Sequence, residues 1–162
     1  RSLWIIATMM VVFGLILGAA DKFGKKSKKL SDLNVKHGLL FGLAQSLALV
    51  PGVSRSGATI AMGRALGYSR EAALRYSFLL ALPAVFGSGL YELKGAISDN
   101  QVVVYSLTQT LVATLIAFVI GYLVISWLLK FVTSKSFAPF IIYRVLLGTV
   151  VLILLISGAV QP

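Results

Sequence analysis

The sequence predicts an all-α integral membrane protein, and three observations support this fold class. First, 58% of the 162 residues are hydrophobic and 12% are charged, with a mean hydropathy of +0.93. A soluble domain of this size does not need so much apolar surface, whereas a chain solvated by lipid does. Second, the apolar residues form segments long enough to span a bilayer. Third, basic residues collect in short stretches between these segments. We therefore expect transmembrane helices joined by charged loops.

Four apolar segments are long enough to cross a bilayer, for which about 20 helical residues are needed. Gly14 and Gly18 in the first segment have the spacing of a close helix-packing face. Pro83 lies inside the second segment and is expected to kink it. The four predicted transmembrane helices cover Leu3–Ala20, Ala72–Leu93, Val102–Leu129 and Phe140–Gly158.

The charges between the segments predict which ends face the cytoplasm. A run of lysines follows the first segment, so residues 21–37 are expected to form a basic cytoplasmic loop. Lys130 and Lys135, with Arg144 just beyond them, are expected to mark a return to the same side. In a soluble protein the net charge of +10 would suggest nucleic-acid binding. In a lipid-solvated chain it indicates loops that face anionic headgroups, so we expect no nucleic-acid partner.

Residues 38–66 are expected to enter and leave the membrane on the same side. The arms Gly38–Val50 and Ala58–Leu66 would be about 20 Å and about 13 Å long as helices, which is too short to cross. Pro51 interrupts any continuous helix between them. We therefore predict a re-entrant helix–loop–helix with its tip near the middle of the membrane. The alternative is one kinked crossing helix. It would place Arg64, Arg70 and Arg75, which make the next loop basic, outside the membrane on the far side, against the positive-inside rule.

The tip of this pair has the sequence PGVSRSGATI, which places an arginine and several hydroxyls in an apolar context. A charged side chain at bilayer depth is costly and usually functional. A planar cation, hydroxyls and the free N–H groups of a helix N-terminus are what a phosphate requires, and glycines allow close backbone approach. Alternatively, the hydroxyls only cap the helix and the arginine pairs with a distant carboxylate. The candidate catalytic residues are Ser54, Arg55, Ser56 and Thr59, and the candidate substrate-binding residues are Gly52, Arg55, Gly57 and Thr59.

Hydrolysis also needs a general base or a metal, and the acidic residues lie elsewhere in the sequence. All five are expected in loops or at segment ends, away from the tip, and the chain has no cysteine. A serine nucleophile would need a base as well. From its residues the tip is a phosphate-binding half-site, and we expect the base and any metal ligands to lie outside this chain. The acidic residues are Asp21, Asp32, Glu71, Glu92 and Asp99.

The stretches GLAQSLALVPGVSRSGATI (Gly42–Ile60) and RYSFLLALP (Arg75–Pro83) closely resemble the second signature region of undecaprenyl-pyrophosphate phosphatases, also called bacitracin-resistance proteins. The resemblance covers essentially all 162 residues. It implies a hydrolase of the bacterial inner membrane that converts undecaprenyl pyrophosphate to the monophosphate carrier of peptidoglycan synthesis. It also implies an inverted-repeat fold. Residues 1–20 would be the last helix of the first repeat, and residues 38–162 the whole second repeat.

The resemblance further implies a division of labour between the two repeats. The related signature of the first repeat carries paired glutamates and a histidine, whereas the matching positions here are Gln45, Leu49 and Ala58, none of which is a base. Arg55 would clamp the pyrophosphate, and the hydroxyls of Ser54, Ser56 and Thr59 would contact it or supply a nucleophile. A divalent metal, Mg²⁺ or Ca²⁺, would be held by ligands outside this chain.

The implied partners are the isoprenoid pyrophosphate lipid, the bilayer and the missing N-terminal half of the same protein, and a homodimer is compatible with the resemblance. Two other classes of function stay open. A polyprenyl-phosphate transporter or flippase would bind the same anion, because inverted repeats with broken helices are also transporter architecture. A non-catalytic membrane component would use the tip only for helix packing.

Overall fold

The computed structural model describes residues 2–24, 27–98 and 106–161. In this part of the chain the long elements are all helices, so the all-α prediction is confirmed. Two short 3₁₀ turns, Leu30–Asp32 and Leu47–Leu49, flank the second helix. The six helices are α1 (Leu3–Phe23), α2 (Val35–Ser46), α3 (Arg55–Ala65), α4 (Arg70–Ser98), α5 (Leu107–Ser134) and α6 (Ala138–Ile156).

Four of these helices can cross a membrane by length and composition, as the sequence predicts. Large apolar side chains such as Leu111 and Phe118 are exposed along them, as expected of a surface that meets lipid. Residues 102–105 of the third predicted segment, and Asp99 before it, lie outside the described residues. The spanning helices cover Leu3–Phe23, Arg70–Gly95, Thr108–Ser134 and Ala138–Ile156.

Helices α1 and α6 are antiparallel and pack closely through glycines. A Cβ atom added at Gly14 would lie 2.9 Å from Cγ2 of Val145, and one added at Gly18 would lie 3.4 Å from Cγ2 of Ile141. Helix α6 contributes Gly148, where an added Cβ would lie 2.8 Å from a side-chain carbon of α1. These contacts agree with the packing face predicted from Gly14 and Gly18, because small residues let helix backbones approach.

Helices α2 and α3 lie side by side and form an antiparallel hairpin. The ring of Phe41 in α2 packs against Gly63 in α3, where an added Cβ would lie 2.7 Å from the ring. At the open end, Nδ1 of His37 lies 2.7 Å from the hydroxyl of Tyr68. Burial raises the pKa of Tyr68, so this hydroxyl stays protonated and also donates to the carbonyl of Asp32 at 3.2 Å. The chain therefore enters and leaves the hairpin at the same end.

A buried ion cluster joins four helices at that same end of the molecule. Asp21, near the end of α1, accepts hydrogen bonds from Nε of Arg64 at 3.0 Å and from Nε of Arg70 at 2.7 Å. The backbone N–H of Phe137 also donates to Asp21, at 3.4 Å. Arg64 is fully buried, so it is a core residue rather than the loop residue that the sequence suggests. We call Asp21, Arg64 and Arg70 the Asp21 cluster.

Candidate anion-binding site

The turn between α2 and α3 is pressed against the first helix. Gly52 has a positive φ of 93°, which favours glycine, and a Cβ atom at this position would collide with the backbone of Ile6. Ile6 is about 22 Å from Asp21 along α1, at 1.5 Å per residue. The tip of the hairpin therefore contacts α1 near the end opposite to Asp21. Gly52 makes this helix contact, and its predicted role of letting a ligand approach stays a prediction.

Ser54 ends the turn in a strained conformation and caps α3. Its φ is 64°, a positive value that no other described non-glycine residue has. Such a conformation costs about 1–3 kcal/mol, persists only where the surroundings enforce it, and is concentrated at functional sites. The hydroxyl oxygen of Ser54 accepts a hydrogen bond of 3.3 Å from the N–H of Gly57. The strain and the cap together fix the first turn of α3, where free N–H groups and the helix dipole favour an anion.

A cavity of about 260 Å³ opens beside this helix end. Its polar side is formed by Ser54, Ser56, Gly57 and Arg144, and most of its other walls are apolar. The apolar walls come from all of the helices except α2. They include Leu17, Ile60, Leu74, Phe78, Leu128, Phe137 and Phe140. The cavity therefore has one polar end at the turn and an apolar body that extends toward the Asp21 cluster.

Arg144 lines the cavity, although the sequence analysis did not include it among the candidate site residues. It lies within α6, inside the segment Ala138–Ile156 that can span a membrane, and its predicted place at a cytoplasmic return stays a prediction. Its Nη2 donates to the carbonyl oxygens of Gly52 at 2.7 Å and Val53 at 3.3 Å. Its Nη1 would lie 3.9 Å from a Cβ atom added at Gly57. The signal that could have found it is an arginine inside a segment already predicted to span the membrane.

The predicted site residues fall into two groups. Ser54, Ser56 and Gly57 lie together on the cavity, as adjacent residues of one helix start. Thr59 is fully buried and its hydroxyl lies 2.5 Å from that of Ser77. Arg55 is exposed, does not line the cavity and has no ion pair within the described residues. The two serines therefore line the same cavity as Arg144, whereas Arg55 and Thr59 do not line it.

The described residues do not fit a divalent metal. Among them, no three His, Cys, Asp or Glu side chains come together, and the Asp21 carboxylate is already held by two arginines. The amide oxygen of Gln45, at a position that the resemblance matches to a glutamate, is buried without a hydrogen-bond partner in the described structure. No reaction step is therefore assigned to a metal held by these residues. The site can bind and orient an anion through a guanidinium, hydroxyls and N–H groups.

These features define a polytopic helical membrane protein with a candidate anion-binding site at the turn of the α2–α3 hairpin. Residues 1–150 match the family described as bacitracin resistance protein BacA, and the chain belongs to this family. It is 55% identical over 162 residues to an undecaprenyl-diphosphatase of Pseudarthrobacter chlorophenolicus. It is also 56% identical to an undecaprenyl-diphosphatase of Renibacterium salmoninarum and 54% identical to undecaprenyl-diphosphatase 2 of Agrobacterium fabrum. The predicted family and the multi-pass bacterial inner-membrane location are confirmed.

The matches cover nearly all of this chain but only part of each relative. The alignments include 99% of the chain and 57–58% of the relatives' own length. The chain therefore spans a little under three fifths of the curated relatives that it matches.

Proposed function

We propose that this chain is part of a membrane phosphatase that hydrolyses undecaprenyl pyrophosphate to undecaprenyl phosphate, for recycling of the cell-wall lipid carrier. In this proposal the chain supplies the pyrophosphate-binding loop Ser54–Ser56, which we call the Ser-Arg-Ser loop. The observation that carries the proposal is the meeting of this loop with Arg144 at the polar end of an otherwise apolar cavity. The name undecaprenyl-diphosphatase, which the relatives bear, agrees with it.

Two arginines would hold the pyrophosphate from different sides. Arg144 uses Nη2 to fix the turn, while its Nη1 faces Gly57 at the start of α3. A guanidinium has five N–H donors, so Arg144 can bind a phosphate oxygen while it holds the turn. The guanidinium of Arg55 is exposed at the same turn, which leaves it open to a ligand. A pyrophosphate at the polar end of the cavity would accept hydrogen bonds from Arg144, the two serines and the first-turn N–H groups, and the exposed side chain of Arg55 would turn toward it from outside the cavity.

The apolar body of the cavity would receive the first isoprene units of the lipid. Phe78, Phe137 and Phe140 line this part, next to the polar end. A ligand with an anionic head and a branched hydrocarbon tail matches this division, whereas free inorganic phosphate would leave the apolar part unused. We further propose that the α2–α3 hairpin re-enters from the cytoplasmic side, because both of its ends lie beside the Asp21 cluster and the lysine-rich stretch.

The general base and the ligands of any divalent metal would come from the part of the protein that precedes this chain. The carboxylate of Asp21 is buried in its ion cluster, and Asp32, Glu71 and Glu92 lie away from the cavity. In the overall reaction the terminal phosphorus forms a bond to oxygen and its bond to the bridging oxygen breaks. Undecaprenyl phosphate leaves, and the proton of the attacking group passes to the external base. The attacking oxygen belongs either to water or to a serine of the loop. In the second case water then cleaves the phosphoserine, which releases phosphate and restores the serine hydroxyl.

A chimera tests this proposal. The segment of the Pseudarthrobacter relative that precedes the matched region is joined to residues 1–162, and we call this protein the full-length chimera. We expect it to release phosphate from undecaprenyl pyrophosphate in nanodiscs, whereas residues 1–162 alone do not at any Mg²⁺ or Ca²⁺ concentration. Arg55-dependent turnover by the isolated chain would show that a base lies within it. Lipid flux without phosphate release from the chimera would favour a transporter.

A further inference from the structure

Thr59 joins the first turn of α3 to helix α4 through its hydroxyl. Its Oγ1 lies 3.0 Å from the carbonyl oxygen of Arg55 and 3.1 Å from that of Ser56. The same atom lies 2.5 Å from Oγ of Ser77, which is 18 positions later on α4. Thr59 is fully buried and Ser77 is 3% exposed, so neither hydroxyl can exchange its partner for bulk water. The two hydroxyls and the two carbonyl groups therefore form a closed polar contact inside the protein.

The direction of these hydrogen bonds follows from counting protons. A carbonyl oxygen only accepts, so the single proton of the Thr59 hydroxyl points to the carbonyl of Arg55 or of Ser56. The contact with Ser77 must then use the Ser77 proton, which is donated to Oγ1 of Thr59. Ser88 in the same helix behaves differently, because its hydroxyl donates to the carbonyl of Val85 in its own helix at 3.0 Å. Ser77 thus donates its hydrogen bond from α4 to a residue of α3.

We infer that Ser77 is a positioning residue for the Ser-Arg-Ser loop and acts through Thr59. The carbonyl of Arg55 shares a rigid peptide plane with the N–H of Ser56, and the carbonyl of Ser56 shares one with the N–H of Gly57. Whichever carbonyl accepts the Thr59 proton, holding that end of its peptide plane fixes the direction of the N–H at the other end. These two N–H groups belong to the first turn of α3, at the polar end of the cavity. The expected effect of Ser77 on catalysis rests on the proposed function, whereas its expected effect on the order of the first turn of α3 does not.

Kinetics of the full-length chimera test the catalytic consequence. Ser77→Ala is expected to lower kcat by about 10-fold or more with a smaller change in KM, since a misdirected N–H weakens binding of the charge that develops in the transition state. Ser88→Ala is the matched control and should leave kcat unchanged, because its hydroxyl bonds only to its own helix. Ser77→Cys keeps a weak donor and should restore part of the loss.

A double substitution tests whether Ser77 acts through Thr59. Thr59→Val removes the hydroxyl at nearly constant volume, so Ser77→Ala should have little further effect on kcat in that background. Hydrogen exchange of the backbone N–H groups of residues 56–59, measured by mass spectrometry on the same protein, should be faster in Ser77→Ala than in Ser88→Ala. The exchange measurement needs no activity, so it tests the inference even if the chimera releases no phosphate.

Three results would overturn the inference. The first is equal exchange at residues 56–59 in Ser77→Ala and Ser88→Ala. The second is a full additional loss of kcat when Ser77→Ala is added to Thr59→Val. The third is a lower unfolding temperature for Ser77→Ala with unchanged kcat in an active chimera, which would make the contact a structural link between α3 and α4 only. An inactive chimera with faster exchange in Ser77→Ala would instead count against the proposed function alone.

Discussion

Arg144 donates a hydrogen bond of 2.7 Å to the carbonyl oxygen of Gly52, and this bond joins α6 to the turn of the α2–α3 hairpin across 92 positions of the chain. The same guanidinium borders the cavity beside Ser54 and Gly57. One side chain thus supports the turn and offers charge to a ligand. The two roles of Arg144 can be tested separately by comparison with Arg55, whose side chain lies at the same turn but does not support it.

Arg144→Lys in the full-length chimera should lower both phosphate release and stability. An ammonium keeps the charge but cannot bond the turn and a phosphate oxygen with the fixed geometry of a guanidinium. We expect a loss of about 100-fold in kcat/KM and a lower unfolding temperature in detergent. Arg75→Lys is the matched control, since Arg75 makes an exposed ion pair with Glu71 at 2.9 Å. Normal turnover by Arg144→Lys would remove this residue from the site.

Arg55→Lys should impair turnover almost as much as Arg55→Ala but leave stability unchanged. Arg55 is exposed and holds no other described element, so only the bidentate contact with the pyrophosphate is lost. The expected effect is about 100-fold or more in kcat/KM, at an unfolding temperature equal to that of the parent chimera. Phosphate release near the parental rate in the lysine variant would exclude Arg55 as the pyrophosphate clamp.

Ser54→Ala and Ser56→Ala should distinguish a nucleophile from a hydrogen-bonding contact. A contact serine is expected to lose about 10- to 100-fold in rate, whereas a nucleophile loses nearly all activity. Ser54→Ala should also destabilise the protein by about 1 kcal/mol, because the Ser54 hydroxyl caps α3. Rates of phosphate release and unfolding temperatures of the two variants provide the measurement. If both keep most of their activity, attack by a serine of this loop is excluded and water is the nucleophile.

Asp21→Asn should destabilise the protein strongly. It removes the charge that compensates the fully buried Arg64 and the partly buried Arg70, and breaking such a pair from one side costs about 3–5 kcal/mol. Glu71→Gln is the control, because its exposed pair with Arg75 contributes less than about 1 kcal/mol. Denaturant unfolding of both variants in detergent checks this prediction. Equal stability of the two variants would mean that the Asp21 cluster does not hold the four helices together.

Much of the fold could be predicted from the sequence, because lipid favours or disfavours each residue according to its own hydropathy. A spanning helix must be apolar on nearly every exposed face, so hydropathy alone located all four spanning helices. The break in the hairpin was also local, since Pro51 cannot continue a helix. The burial of Arg64 could not be predicted from hydropathy. Its charge suggests a cytoplasmic loop, whereas its burial is compensated by groups distant in the chain, namely the carboxylate of Asp21 and the carbonyl oxygens of Asp21 and Gly24.

For the site, the sequence by itself determined that Ser54, Ser56 and Gly57 share one helix start, because they are neighbours in the chain. Only the tertiary structure decided which other side chains join them. Successive residues of a helix point about 100° apart, so neighbours in sequence face different elements. Thr59 turns toward α4 and Arg55 turns outward, while Arg144 arrives from α6. Those directions depend on how α1 and α4 pack against α3 and how α6 packs against α1, and such packing is set by contacts between residues that are distant in the chain.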